Sequence, residues 1–195
     1  ARRARAAETR RHFGLPDGPL ALYAGRLAAE KDLDLLLSAW LDVERRTGAR
    51  LSLIGLGPAA GALKRSKGGA RALWLPYERD RNLLADLYAA VDLVVAPGSA
   101  ETFGLAALEA LASGTPVLSA DRGGVAETIA LSGAGRLYTS GDTAHLAEVA
   151  VALFEEDLPA LGRVGRRYAE QHHGWDAVLD RLFQTYRRVL GRVSP

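Results

Sequence analysis

The sequence predicts an α/β protein: a doubly wound, Rossmann-like parallel sheet of about six strands, helices on both faces, and extra helices at the C-terminus. Three observations carry this. Short apolar runs alternate with helical patterns about five times along the 195 residues. The runs are continuously apolar rather than alternating, the mark of strands covered on both faces. The helical stretches are punctuated by residues that start or stop helices, such as Pro58, Asp80 and Gly48.

The elements follow in order. LALYAG (20–25) is the first strand. Leu33, Leu36, Leu37, Trp40, Leu41 and Val43 recur at three- and four-residue spacings, which predicts a helix that Gly48 ends. ARLSLIG (49–55) is the second strand and PAAGALKR (58–65) a short helix. ARALWLP (70–76) is the third strand, followed by a helix that Asp80 caps and that contains Leu83, Leu84, Leu87 and Tyr88. DLVVAP (92–97) is the fourth strand, and a helix is expected from near Phe103. TPVLSA (115–120), a short helix over 124–132, and GRLYTS (135–140) complete the sheet. Asp142 or Thr143 caps a helix to about Glu156, Pro159 separates it from another to about Gln171, and a last helix runs from Trp175 to Leu190. The first 18 residues are basic and helical in character. A single domain is expected over 1–195, with a Rossmann-like core over about 14–172.

Composition narrows the chemistry. Hydrophobic residues make up 48% and charged residues 25%, enough for a full core in a globular chain. The formal net charge of +2 gives no argument for a nucleic-acid partner. The absence of cysteine removes disulfides, thiolate catalysis and Cys-zinc sites. No apolar run reaches the ~20 residues of a membrane span, so a cytoplasmic location is the expectation. The chain begins at Ala1 and has no Met, which suggests a piece of something longer.

In a doubly wound sheet, ligands bind outside the carboxyl ends of the strands, so the loops there carry the candidate site. The first strand exits into GRLAAEK, which sets Arg26 and Lys31 five residues apart around a helix start. Two cations beside a helix N-terminus suit an anion; read plainly, they are two solvated charges. The second strand exits into GLGPAAG, a GxGxxxG turn that fits either a dinucleotide or a tight strand-to-helix connection. The third exits at LPYERD, where Tyr77 can stack on a ring or serve as a core aromatic. The fourth exits into PGSAETFGLAALEALASG, with Glu101 ahead of the helix and Glu109 within it.

Glu109 falls on one helical stripe with Thr102, Leu105 and Ala112, otherwise small or apolar, so its carboxylate needs a partner. The two glutamates lie at levels about 9–12 Å apart if both are measured along the helix. Free N–H groups between them favour phosphate. Hydroxyls, a diphosphate and more hydroxyls would fill that order, as in a nucleotide sugar. The plain alternative is a cap at Glu101 and an Arg partner for Glu109. The fifth strand exits into DRGGVAE, where Gly123 and Gly124 permit close backbone approach or simply turn.

YAGRLAAEKDLDLLLSAW, IGLGP and SAETFGLAALEALASGTPVLSADRGGVAE together resemble the C-terminal domain of retaining glycosyltransferases of family 4, which have the GT-B fold. The Glu–seven residues–Glu motif is Glu101 to Glu109, and the resemblance runs from about Gly14 to the end. It implies that the domain binds a nucleotide-diphosphate sugar without a metal or other cofactor. It also implies the site: Arg26 and Lys31 on the diphosphate, Glu109 on the ribose, and Glu101 on the transferred sugar. Backbone N–H groups of Phe103, Gly104 and Leu105, next to Thr102, would face sugar or phosphate. Gly25, Gly55 and Gly57 would let backbone approach, and Leu75 to Tyr77 would lie near the base. Pro76 stands where the family frequently has Gly, which alters the backbone donor that can reach the base.

The resemblance further implies a partner, an N-terminal acceptor-binding domain. The residues from 173 onward, with Trp175, Leu179, Leu182, Phe183 and Tyr186, are expected to pack toward it. A membrane-surface acceptor is compatible with the family. His12, His145, His172 and His173 lie outside the strand-end loops and are expected at the surface or at helix ends. Two other readings compete: an oxidoreductase domain binding a dinucleotide through Gly55-Leu56-Gly57, and a non-catalytic module that interacts through its arginine-rich last helices.

Overall fold

The computed structural model describes residues 5–191. Helix α1 (Ala6–His12) precedes strand β1 (Leu20–Ala24). Helix α2 (Leu33–Thr47), β2 (Arg50–Ile54), α3 (Ala60–Arg65), β3 (Leu73–Leu75), α4 (Arg81–Ala90) and β4 (Leu93–Ala96) form the first half of the winding. Then follow α5 (Leu105–Ser113), β5 (Val117–Ala120), α6 (Gly124–Ser132), β6 (Gly135–Tyr138), α7 (Thr143–Phe154), α8 (Leu158–His173) and α9 (Trp175–Leu190).

The six strands lie in the order β3-β2-β1-β4-β5-β6, all paired in parallel. Successive strand residues point to opposite faces, and both faces are covered. Ala21, Tyr23, Leu51, Leu53 and Leu118 pack under Leu36, Leu37 and Trp40 of α2 and Leu146 and Ala150 of α7. Leu20, Leu22, Ile54, Val94 and Val117 pack under Leu87 and Tyr88 of α4, Ala110 and Leu111 of α5, Val125 and Ile129 of α6, and Ala169 of α8. This double cover is why the strands read as unbroken apolar runs.

Local signals set most helix ends. Asp80 accepts from the N–H groups of Asn82 and Leu83, Asp142 from His145, and Asp157 from Ala160. Each satisfies a first-turn donor and is worth about 1 kcal/mol. Gly48 ends α2 with φ +72° and accepts no side-chain penalty there. Two starts come later than the sequence suggests. Pro58 lies in a turn before α3, and α5 begins at Leu105 rather than near Phe103.

The basic N-terminal segment is stitched to the fold. Arg10 donates to the carbonyls of Ala90, Pro16 and Gly18 and pairs with Asp92 at 3.0 Å. At the other end α9 has no buried residue; Trp175 is 79% exposed, and Phe183, Tyr186 and Leu190 are also exposed. Among the described residues no helix is long and apolar enough to cross a membrane.

Candidate functional site

The sheet reverses direction of winding between β1 and β4, so the loops leaving these two strands diverge and open a crevice. Two cavities occupy it. One of about 450 Å³ is lined by Gly25, Arg26, Gly55, Leu56, Tyr77, Glu78, Tyr88, Leu105 and Glu109, among others. The other, of about 350 Å³, is lined by Tyr23, Arg26, Glu30, Lys31, Pro97, Glu101 and the α5 start from Gly104 to Ala107. Ala24, Gly25, Arg26, Leu105 and Ala106 border both, so the cavities join across the N-terminus of α5.

Lys31 and Glu101 meet across the crevice. The ammonium donates to Glu101 Oε2 at 2.5 Å, and both side chains are about one-quarter to one-third exposed. A second tie lies beside it, where Ser99 N–H donates to Asp32 at 3.3 Å. Asp32 holds φ +52°, a conformation uncommon outside glycine. It turns the chain from the short 3₁₀ turn at Ala29–Lys31 into α2. Arg26 stays exposed, with only a 3.5 Å approach to Glu30. Tyr23 braces this loop by donating to the Arg26 carbonyl at 2.8 Å. Burial, with the nearby Glu101 and Glu30 carboxylates, pushes the Tyr23 hydroxyl pKa far up, so it remains a donor.

Glu109 is not buried. It lies on the exposed side of α5 with Leu105 and Ala112, facing the larger cavity. The apolar stripe that made it look like a buried carboxylate is an exposed face, with Leu105 in the cavity wall. Thr102 is outside the helix and does not share that stripe, so helical rise does not measure the distance from Glu101 to Glu109. The partner is Tyr88, whose hydroxyl donates to Glu109 Oε2 at 3.2 Å. Tyr88 is 1% exposed, and burial with the adjacent carboxylate drives its pKa far up. Its carbonyl accepts from the buried Thr115 hydroxyl at 2.7 Å. Thr115 thus fixes Tyr88, and Tyr88 fixes Glu109. The sequence offered Tyr88 only as a helix residue; its hydroxyl, opposite a lone carboxylate, was the missed signal.

Gly104 caps α5 with φ +74°, and a Cβ there would stand 2.2 Å from Val125 Cγ2. This packs the α5 start against α6, and the Gly124 N–H donates to the Glu101 carbonyl at 2.8 Å. Gly123-Gly124 therefore packs against the Glu101 loop and is not a free turn. The free first-turn N–H groups belong to Leu105, Ala106 and Ala107, which line the smaller cavity. The Gly104 N–H precedes them at the cap, and Gly104 also lines that cavity. Phe103 instead makes an edge contact with His173 at 6.3 Å. His173 ends α8 as expected, yet it sits beside this loop.

GLGPAAG also has a different role. A Cβ on Gly55 would stand 1.8 Å from the Gly25 carbonyl oxygen, and one on Gly57 2.1 Å from that of Leu27. The second loop is packed on the first, with Leu27 N–H donating to the Leu56 carbonyl and Ala59 N–H to that of Leu27. These glycines are demanded by neighbouring backbone. Only Gly55 also reaches the larger cavity; neither cavity's lining includes Gly57, Leu75, Thr102 or Phe103. The turn follows β2, outside the switch point, and leads into a helix of only six residues. That geometry removes the basis for a dinucleotide site there.

Comparison with known proteins points the same way. The family described as "Glycosyl transferases group 1" matches residues 18–156. D-inositol 3-phosphate glycosyltransferase 1 of Catenulispora acidiphila is 34% identical over 207 aligned positions, covering 96% of this chain and 49% of that protein. The GDP-mannose-dependent alpha-(1-6)-phosphatidylinositol dimannoside mannosyltransferase of Mycobacterium tuberculosis is 39% identical over 65% of this chain. It is covered over 34% of its own length. Among solved structures, sucrose-phosphate synthase from Thermosynechococcus elongatus superposes with a TM-score of 0.79 and 28% identity, over 95% of this chain and 49% of that one. Anabaena Alr3699/HepE, solved in complex with UDP, gives a TM-score of 0.80 at 21% identity over 95% and 53% of the two chains. That last likeness is one of fold. The chain spans about half the length of the curated relatives that match most of it.

Proposed function

Because the chain belongs to the group 1 glycosyl transferases, we propose that it is the donor-binding half of a retaining, metal-independent glycosyltransferase. The observation that carries this reading is the pair of joined cavities at the α5 N-terminus. Arg26 and Lys31 border one side of the junction and Glu109 the other. The nucleoside takes the larger cavity, with ribose hydroxyls donating to Glu109. The diphosphate takes the junction, and the sugar extends toward Glu101.

In this reading the bond between the anomeric carbon and the diphosphate oxygen breaks, an acceptor hydroxyl oxygen bonds to that carbon and gives its proton to the departing diphosphate, and negative charge builds on that leaving group meanwhile. Arg26 and Lys31 border the junction and would receive that charge together with the first-turn N–H groups of α5. Fixed charges and dipoles that need no rearrangement are the most effective stabilisers of such charge. Lys31 is held by Glu101 before an anion arrives, so the diphosphate competes with that carboxylate. Among the described residues no group of three or more His, Asp or Glu is arranged to hold a metal. In this reading the two cations and the helix dipole carry the leaving group's charge, and a chelator should leave donor binding intact.

The acceptor site belongs, in this proposal, to an N-terminal domain that supplies the other wall of the crevice. The share of each relative's length that this chain covers supports that division. So does the unpartnered apolar stripe of α9, which offers Trp175, Leu179, Leu182, Phe183 and Tyr186 for contact with it. These 195 residues alone should therefore bind nucleotide without transferring sugar. The test is calorimetric titration with UDP, GDP, ADP and NADPH beside a transfer assay. Nucleoside diphosphate binding without turnover is expected; robust transfer by this chain, or a preference for NADPH, would overturn the reading.

A further inference from the structure

The base of the donor remains open in the relatives themselves: one is described as GDP-mannose-dependent, while a structural neighbour holds UDP. The larger cavity carries an observation that bears on it. In the part of this cavity's lining not shared with the smaller one, two large apolar side chains are left exposed, Leu56 at 62% and Tyr77 at 54%. A planar ring entering between the loops that bear them would cover both, as bases do on aromatic side chains. The polar side chain beside them in the lining is Glu78.

Glu78 is half-buried, and its Oε1 accepts from the Asp80 N–H at 2.7 Å. That bond ties the carboxylate to the start of α4, where Asp80 in turn caps the helix. The carboxylate is therefore a positioned group on a short, anchored loop.

We propose that Glu78 selects guanine, a reading that rests on the assignment of this cavity to the donor nucleoside. An ionised carboxylate only accepts hydrogen bonds. Guanine presents two adjacent donors, N1–H and the N2 amine, which match it. Uracil presents one N–H flanked by two carbonyl oxygens, which a carboxylate repels. Adenine and cytosine each place a ring acceptor beside their amine. Hydrogen bonds to a charged partner are the stronger kind, and a site built on them rejects analogues that lack the donors. The donor would then be a guanosine diphosphate sugar.

The experiment is calorimetric titration of the chain with GDP, IDP, UDP and ADP, repeated with Glu78→Gln and Glu109→Ala. IDP is guanosine diphosphate without the N2 amine, so it removes one of the two donors and nothing else. GDP is expected to bind about tenfold or more tighter than IDP, UDP and ADP. Glu78→Gln keeps the loop contact to Asp80 but offers one acceptor and one donor; it should weaken GDP about tenfold and leave UDP within about twofold. Equal or tighter binding of UDP or ADP by the unaltered chain, or a uniform loss across all four ligands in Glu78→Gln, overturns the assignment. Binding that depends on Glu109 but shows no guanine preference sinks the base assignment alone. No binding of any nucleotide sinks the donor site with it.

Discussion

Lys31 and Glu101, 70 residues apart in sequence, form an ion pair of 2.5 Å that bridges the loops leaving β1 and β4. Each member is thereby partnered before any ligand binds. This gives the two residues opposite effects on an incoming diphosphate. Lys31→Met removes a cation and should weaken nucleoside diphosphate binding about tenfold, while a nucleoside without phosphates changes little. Glu101→Gln frees the lysine and should tighten the diphosphate by up to about fivefold, the scale of a part-exposed ion pair. Titrations of both variants check the signs; weaker binding in both would show that the pair acts only as a structural clasp.

Tyr88 positions Glu109. With Oε2 taken by the tyrosine hydroxyl, Oε1 is the oxygen left for the ribose. Tyr88→Phe keeps the buried ring and its packing but releases the carboxylate. The ratio of affinities for a ribonucleoside diphosphate and its 2′,3′-dideoxy analogue should shrink severalfold, with the dideoxy affinity unchanged. A purely structural role would lower both affinities together.

Gly55→Ala tests the packing of the first two loops. The added Cβ would stand 1.8 Å from the Gly25 carbonyl oxygen, and backbone cannot yield as a flexible side chain can. A loss of at least about 1–3 kcal/mol in chemical denaturation is expected. A stability within 0.5 kcal/mol of the parent, a margin of about that of surface changes, would mean the loops are not in contact.

His173 supplies a pH dependence. Burial, then Arg181 and His172, hold its pKa below the ordinary imidazole value of 6.5. Its Nε2 is buried without a hydrogen-bond partner. The folded state thus prefers neutral His173, while the unfolded chain protonates near 6.5. Between those two pKa values the unfolded state binds more protons, so stability rises with pH across that window. Read the other way, stability falls as pH drops below about 6.5. The change in Tm between pH 7.5 and 5.5 should be smaller in His173→Leu than in the parent; an unchanged pH response would remove His173 as its source.

The exposed face of α9 predicts a negative result. Phe183→Ser and Tyr186→Ser remove side chains more than half exposed, so the chain's stability should change by no more than about 0.5 kcal/mol. If the face instead docks on an N-terminal domain, the same variants should destabilise a two-domain protein. A large loss in this chain alone would place α9 in its own core.

Most of the fold was legible because burial on both sheet faces writes itself into the strands, as at Leu20–Ala24 and Arg50–Ile54. Caps such as Asp80 were legible because their bonding partners lie two or three residues away. The start of α5 was not, because Gly104 and its contact with Val125 decide it, and nothing in residues 100–105 alone reveals Val125. For the same reason GLGPAAG resembled a ligand loop when its glycines answer to the carbonyls of Gly25 and Leu27. Glu109 was legible as an unusual carboxylate, but helical periodicity cannot distinguish a core-facing stripe from a cavity wall. The Tyr88 contact needed the third dimension.

In the proposed site the larger cavity holds a donor's nucleoside through Glu109. The most direct measurement is calorimetric titration of a nucleoside diphosphate into the unaltered chain and into Glu109→Ala. Saturable binding to the first and a loss of about tenfold or more in the second are expected. No binding to the unaltered chain, or equal binding to both proteins, would contradict it.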